Sequence, residues 1–194
     1  MKMSDITVVK REVMGVLIPY GSEITLMPGT EVLVTQALGG SFTLNVNGNL
    51  VRIEGKDGDA IGKEPVLTPV EKAKKAKKDK KKDNQKKDLT ALDEELMWAQ
   101  LKTCYDPEIP VNIVDLGLIY EISKSQLEDG TYHLGVQMTL TAPGCGMGPV
   151  ISAEVEKKLA ELPGVSRVDV VLVFDPPWSS DMMSEEAKLE LGVL

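Results

Sequence analysis

The sequence predicts an α+β protein. A small all-β domain covers residues 1–64, a Lys-rich linker covers residues 65–88, and a two-layer domain of order α-β-β-α-β-α covers residues 89–194. Three observations carry this reading. Short apolar or alternating runs separated by Gly and Pro fill the first third of the chain, as in a small barrel or twisted sheet. Residues 71–88 then hold ten Lys against four acidic residues, a net of +6, with little apolar content to bury. Beyond residue 89, period-two runs and helical stripes alternate, which suits a sheet covered by helices.

Composition narrows the function classes. Aromatic residues make up only 4% of the 194, so the cores must be built from Val, Leu, Ile and Met. No run approaches the roughly 18 apolar residues that span a bilayer. No apolar signal core follows Met1-Lys2-Met3-Ser4-Asp5. The expectation is a cytoplasmic protein with no membrane partner. Two cysteines, Cys104 and Cys145, are too few for a disulfide framework or for a four-thiolate metal site within one chain, although two chains together could supply more ligands. Net charge is −8, but residues 89–194 hold six basic and eighteen acidic residues, a net of −12. Such a surface argues against nucleic acid as its partner.

In the first domain, Val13-Met14-Gly15-Val16-Leu17-Ile18 is a strand ending at Pro19, and Glu31-Val32-Leu33-Val34-Thr35 follows the turn pair Pro28-Gly29. Ser41-Phe42-Thr43-Leu44-Asn45-Val46 alternates strictly, Asn47-Gly48 is the preferred centre of a two-residue hairpin, and Leu50-Val51-Arg52-Ile53 returns. The domain has no His and no Cys. Asp57, Asp59 and Glu54 fail the calcium-loop pattern and read as a solvated acidic turn. The linker reads as disordered or as a solvated helix, either a solubilising spacer or a basic tether.

The second domain opens with a helix whose start carries Thr90 and Asp93 in the spacing of a capping box, and whose stripe includes Leu92, Leu96, Ala99 and Cys104. Cys104 falls near the helix end, where the dipole disfavours thiolate, so it reads as structural. Tyr105-Asp106-Pro107-Glu108-Ile109-Pro110 forces an extended turn bearing two carboxylates, Asp106 and Glu108. Leu118–Ile122 and the alternating Tyr132–Leu140 form an antiparallel pair. A helix with the stripe Val150, Ile151, Val155, Leu159 and Leu162 follows, then a strand through Phe174. Asp175-Pro176-Pro177-Trp178 is a rigid extended loop able to hold Trp178 as a lid, and Ser184-Glu185-Glu186 starts a final helix.

The chemistry concentrates in Thr141-Ala142-Pro143-Gly144-Cys145-Gly146-Met147-Gly148-Pro149. An alternating strand runs in and an amphipathic helix leaves. Glycine on each side of Cys145 permits close approach, and free N–H groups at the helix start favour thiolate, the form that attacks electrophiles or binds metal. A buried cysteine in a tight turn satisfies the same pattern. A Cys–His nucleophile would need His133, the single histidine, but His133 lies twelve residues up the strand, at about 3.3 Å per residue, and reads as a surface residue.

Taken together, Asp106-Pro107-Glu108-Ile109-Pro110, Val114-Asp115-Leu116-Gly117-Leu118-Ile119, and Met138-Thr139-Leu140-Thr141 leading to Cys145 resemble the iron–sulfur cluster assembly domain of the MIP18-like family. Asp175-Pro176-Pro177-Trp178, Met182-Met183-Ser184-Glu185 and, in the first domain, Thr35-Gln36-Ala37-Leu38-Gly39-Gly40 resemble the long form of that family, with an added N-terminal domain. The resemblance implies an accessory role in maturing iron–sulfur proteins within a SUF-type system. It implies assembly scaffolds or carriers and client apoproteins as partners. By position it makes Cys145 the motif cysteine, Thr141 the pre-cysteine threonine, and Asp106 and Glu108 the acidic turn. One thiolate per chain cannot hold a cluster, so a homodimer, or a cysteine from a client or scaffold, would complete a transient iron or iron–sulfur site, with no cofactor permanently bound. Related members carry a further cysteine-rich C-terminal segment; the present sequence stops at Leu194, which speaks against a self-contained zinc site. Two other readings stand beside this one: an adaptor docking clients through Trp178, and a thiol-dependent enzyme, for which no base is evident.

Overall fold

Period-two alternation becomes sheet in both parts of the chain. The computed structural model describes residues 5–79, 92–106, 109–142, 144 and 146–193, in two compact units, Met1–Thr68 and Pro69–Leu194. In the first unit the strands are β1 (Asp5–Val8), β2 (Val13–Ile18), β3 (Glu23–Leu26), β4 (Glu31–Leu38), β5 (Ser41–Val46) and β6 (Asn49–Glu54). They form one antiparallel sheet of order β1-β4-β5-β6-β2-β3. Phe42, Leu44 and Val46 of β5 and Val51 and Ile53 of β6 point into one core with Val13, Leu26, Val32 and Ile61. At the β5–β6 turn Asn47 and Gly48 both take positive φ, 52° and 88°, which matches the right-handed twist of the strands they join.

A 3₁₀ helix over Gly55–Ile61 follows β6. Gly55 is required there, because a Cβ would run into the carbonyl oxygens of Gly40 and Val66. The acidic turn is not simply solvated. Arg11 grips Asp57 at 2.9 Å and Asp59 at 2.6 Å, and its hydrogen bonds hold the Asp59 carboxyl below the usual carboxylate range. Strands β1 and β3, four residues each, are too short for an alternation signal and were not expected.

The second unit contains α1 (Pro69–Asp79), α2 (Glu94–Leu101), β7 (Ile119–Gln126), β8 (Tyr132–Met138), α3 (Gly148–Ala160), β9 (Val165–Leu172) and α4 (Glu185–Leu191). From α2 onward the order is α-β-β-α-β-α, as expected, and with the antiparallel sheet before it the fold class is the one read from the sequence. The sheet order is β7-β8-β9, with β7 antiparallel and β9 parallel to the central β8. Leu134, Val136 and Met138 of β8 pack against Met97 and Leu101 of α2 and Ile151, Val155 and Leu159 of α3. The opposite face carries His133 and Gln137.

Two local readings are corrected. The N-cap of α2 is Asp93, whose carboxylate accepts the Leu96 N–H at 3.1 Å, while Thr90 lies outside the described residues. Its buried stripe is therefore Met97, Gln100 and Leu101 rather than one through Ala99. The segment read as a linker over 65–88 holds the helix α1 in its middle. Val70 is fully buried in the core of the second unit, and its N–H donates to the Gln100 side chain at 3.4 Å. One apolar anchor fixes the start of a Lys-rich helix in which Lys72, Lys74, Lys75 and Ala76 are exposed.

Candidate functional site

The site is built at the exit of β8. Thr139 donates its N–H to the Leu118 carbonyl at 2.8 Å, and Val173 donates to the Met138 carbonyl at 2.8 Å. Both neighbouring strands thus clamp the root of the loop that follows. Thr141 is half-buried; Ala142, Gly144 and Gly146 are exposed. Gly144 has φ 80°, and a Cβ built at Gly144 or Gly146 would meet open space. Met147 then caps α3, its carbonyl accepting the N–H groups of Val150 and Ile151 at 3.0 Å each. Gly148 is buried against Leu140 and Leu172, and an added Cβ would come within 2.8 Å of the Leu140 Cδ1, so that side chain would have to shift. Cys145 and Pro143 lie outside the described residues. Beside this loop the Thr139 hydroxyl is buried with no hydrogen-bond partner among the described residues.

Of the two carboxylates in the acidic turn, Asp106 is buried and accepts the Ile109 N–H at 2.9 Å, while Glu108 and Pro107 lie outside the described residues. Asp106 therefore folds its own turn, an Asx-type bond that spans the proline. Cys104 is fully buried, and its carbonyl accepts the Ile113 N–H at 2.9 Å. Burial, together with the negative charges of Glu190 and Asp115, pushes the Tyr105 hydroxyl above its ordinary pKa.

The remaining motifs meet around the turn from Asn112 to Gly117. Asn112 accepts the N–H groups of Val114 and Asp115 through its side-chain oxygen, at 3.1 and 2.9 Å, and donates to Asp115 at 2.6 Å. Lys102 holds the other oxygen of Asp115 at 3.0 Å. The resulting tight turn presents the Leu116 carbonyl, which accepts the Trp178 indole N–H at 2.8 Å. Tyr120 donates its hydroxyl to the Pro176 carbonyl at 2.9 Å, and the Asp115 carbonyl accepts the Ser184 N–H at 2.8 Å. Gly117, at φ 72°, lies so close to the Met182 carbonyl that any Cβ would run into it. Trp178 is half-buried on the core, indole pinned inward.

His133 stands apart from this assembly. Its Nε2 lies 2.7 Å from Asp169, which Arg167 also holds at 2.9 Å, on the sheet face opposite the helices. The sequence reading did not single out Asn112, Tyr120 or Lys102. The Asn-x-x-Asp spacing followed by Gly was an available turn signal for the first; the other two reveal themselves only through contacts distant in sequence. Among the described residues, no three His, Cys, Asp or Glu side chains cluster as a metal cage.

Residues 94–170 match the family model of the iron–sulfur cluster assembly protein. An Fe-S protein maturation auxiliary factor of Porphyromonas gingivalis is 50% identical over 101 residues, covering 52% of this chain and 92% of the relative. The Fe-S protein maturation auxiliary factor YitW of Bacillus subtilis is 47% identical over 103 residues, covering 53% and 96%. The Fe-S protein maturation auxiliary factor SufT of Staphylococcus aureus is 46% identical over 88 residues, covering 45% and 96%. The chain belongs to this iron–sulfur cluster assembly family, among its Fe–S protein maturation auxiliary factors. No described helix is long and apolar enough to cross a membrane.

Proposed function

We propose that Cys145 is a transient ligand or transfer contact for iron or an iron–sulfur cluster on its way to client apoproteins. The observation that carries this reading is the loop itself. The positions flanking Cys145 are exposed glycines with open space beside them, and its root is clamped by both neighbouring strands. Exposed neighbours and a nearby helix start suit a thiolate that must meet another molecule's atoms. Cys104, fully buried, offers no second ligand at a surface. One thiolate per chain gives incomplete ligation, so a second copy of the chain, or a scaffold, carrier or client cysteine, supplies the rest. Such a site releases its cargo readily.

In this reading Asp106 shapes the acidic turn and Glu108 is the carboxylate left to contribute an oxygen ligand or to tune the thiol. Thr141 supports the start of the loop, and Trp178, held by the Leu116 carbonyl, leaves part of its ring for a client. The role is non-enzymatic, cytoplasmic and exercised as a homodimer, in a SUF-type system. Anaerobic purification with iron and sulfide analysis tests it, wild type beside Cys145→Ala, with a mass measurement of each. Reconstituted iron in the wild type that is lost in the variant is the expected result. Absence of iron from both, with full client maturation by Cys145→Ser, would overturn the ligand role.

A further inference from the structure

Between α2 and β7 the second unit has an open hollow of ≈ 320 Å³, floored by Met97, Ile119 and Ile122 and rimmed by Trp98, Glu94 and Glu121. Among the described residues β7 pairs with β8 alone, so its other edge presents unpaired N–H and C=O groups. Ile122 stands opposite Val136, on the core side of the sheet; Glu121 stands opposite Gln137, on the other. Residues from both faces of β7 line the same hollow, so the hollow follows the free edge. An edge beside an apolar trough is the arrangement by which a sheet accepts an added strand: main-chain bonds hold the peptide, and alternate side chains drop into the trough.

Charge narrows the occupant. Residues 89–194 carry a net of −12. Lys124, which also lines the hollow, is ion-paired to Glu94, and Glu121 accepts the neutral Gln137 amide at 3.2 Å, so among the described residues the carboxylate without a cation is Glu121. Trp98, 39% exposed, offers a ring face to a cation. The chain's own Lys-rich tract is a poor fit, because residues 77–88 contain no apolar residue to fill the floor. We propose that the β7 edge binds an extended peptide of a partner protein that alternates Lys or Arg with aliphatic residues, adding it as a fourth strand. The proposal concerns partner recognition and stands whether or not Cys145 holds iron.

The test uses the full chain and a fluorescein-labelled peptide, Lys-Val-Lys-Val-Lys-Leu, followed by anisotropy. Two control peptides replace Lys by Glu or carry N-methyl groups on alternate backbone nitrogens. The expected result is binding about tenfold tighter for the basic peptide than for the acidic one, and a loss of about tenfold on N-methylation. Glu121→Lys is expected to weaken the basic peptide by about tenfold, with Trp98→Ala as a second variant should the first fail to fold. No binding up to roughly 1 mM, equal affinity for both charges, or indifference to N-methylation would overturn the proposal. Cross-linking between the β7 strands of two copies that excess peptide does not suppress would also overturn it, by assigning the edge to a second copy.

Discussion

Trp178 shows how one side chain can join distant segments. Its indole N–H reaches the Leu116 carbonyl across 62 residues, and the Tyr120 hydroxyl closes the same loop on the Pro176 carbonyl. Trp178→Phe keeps the ring and deletes the donor, leaving a sheltered carbonyl without its partner. The expected loss is about 1–2 kcal/mol by urea denaturation. The sequence made the rigid Asp175-Pro176-Pro177-Trp178 loop legible, because two prolines restrict it whatever surrounds it. The direction in which Trp178 points was not legible, since it depends on a turn shaped by Asn112 far upstream. Asp106 is similar: its place in a proline-rich turn could be read, whereas its bond to the Ile109 N–H needed coordinates.

At the scale of elements, β8 and β9 lie parallel, and on the face opposite the helices His133 of β8 is hydrogen-bonded to Asp169 of β9. Hydrogen bonds from Arg167 first, and from His133, hold the Asp169 carboxyl below its ordinary 3.8. A carboxyl depressed in the folded state adds stability that is complete above its unfolded pKa and disappears as pH falls through the folded one. Wild type should therefore exceed Asp169→Asn in stability near neutrality, and the two should converge as pH drops below 3.8. Chemical denaturation at a series of pH values checks this; a constant difference would refute it. Elements with strong periodicity were readable in advance, above all β5, β8 and the α3 stripe. The start of α2 was misplaced because Thr90 and Asp93 both have capping chemistry, and only the Leu96 N–H chooses between them. Strand β1 was invisible because four residues supported by β4 need little pattern of their own.

For the whole molecule, the division falls at Thr68 and Pro69, and α1 belongs to the second unit. Composition hid this, since Lys dominates the segment while, among the described residues of α1, Val70 alone is buried. A fragment of residues 69–194 should consequently be more stable than one of residues 89–194. Losing Val70 from the core removes about 1–2 kcal/mol, or roughly 5 °C in Tm, measurable by calorimetry. Equal melting temperatures would mean that α1 adds nothing. The clamp at the root of the Cys145 loop has a consequence in the time domain. With Thr139 tied to Leu118 and Val173 tied to Met138, the sheet on either side of the loop can open only by breaking a strand end. Hydrogen exchange should change abruptly there, slow at Thr139 and Val173 and fast at Gly144 and Gly146, so that the loop can rearrange without loosening the sheet.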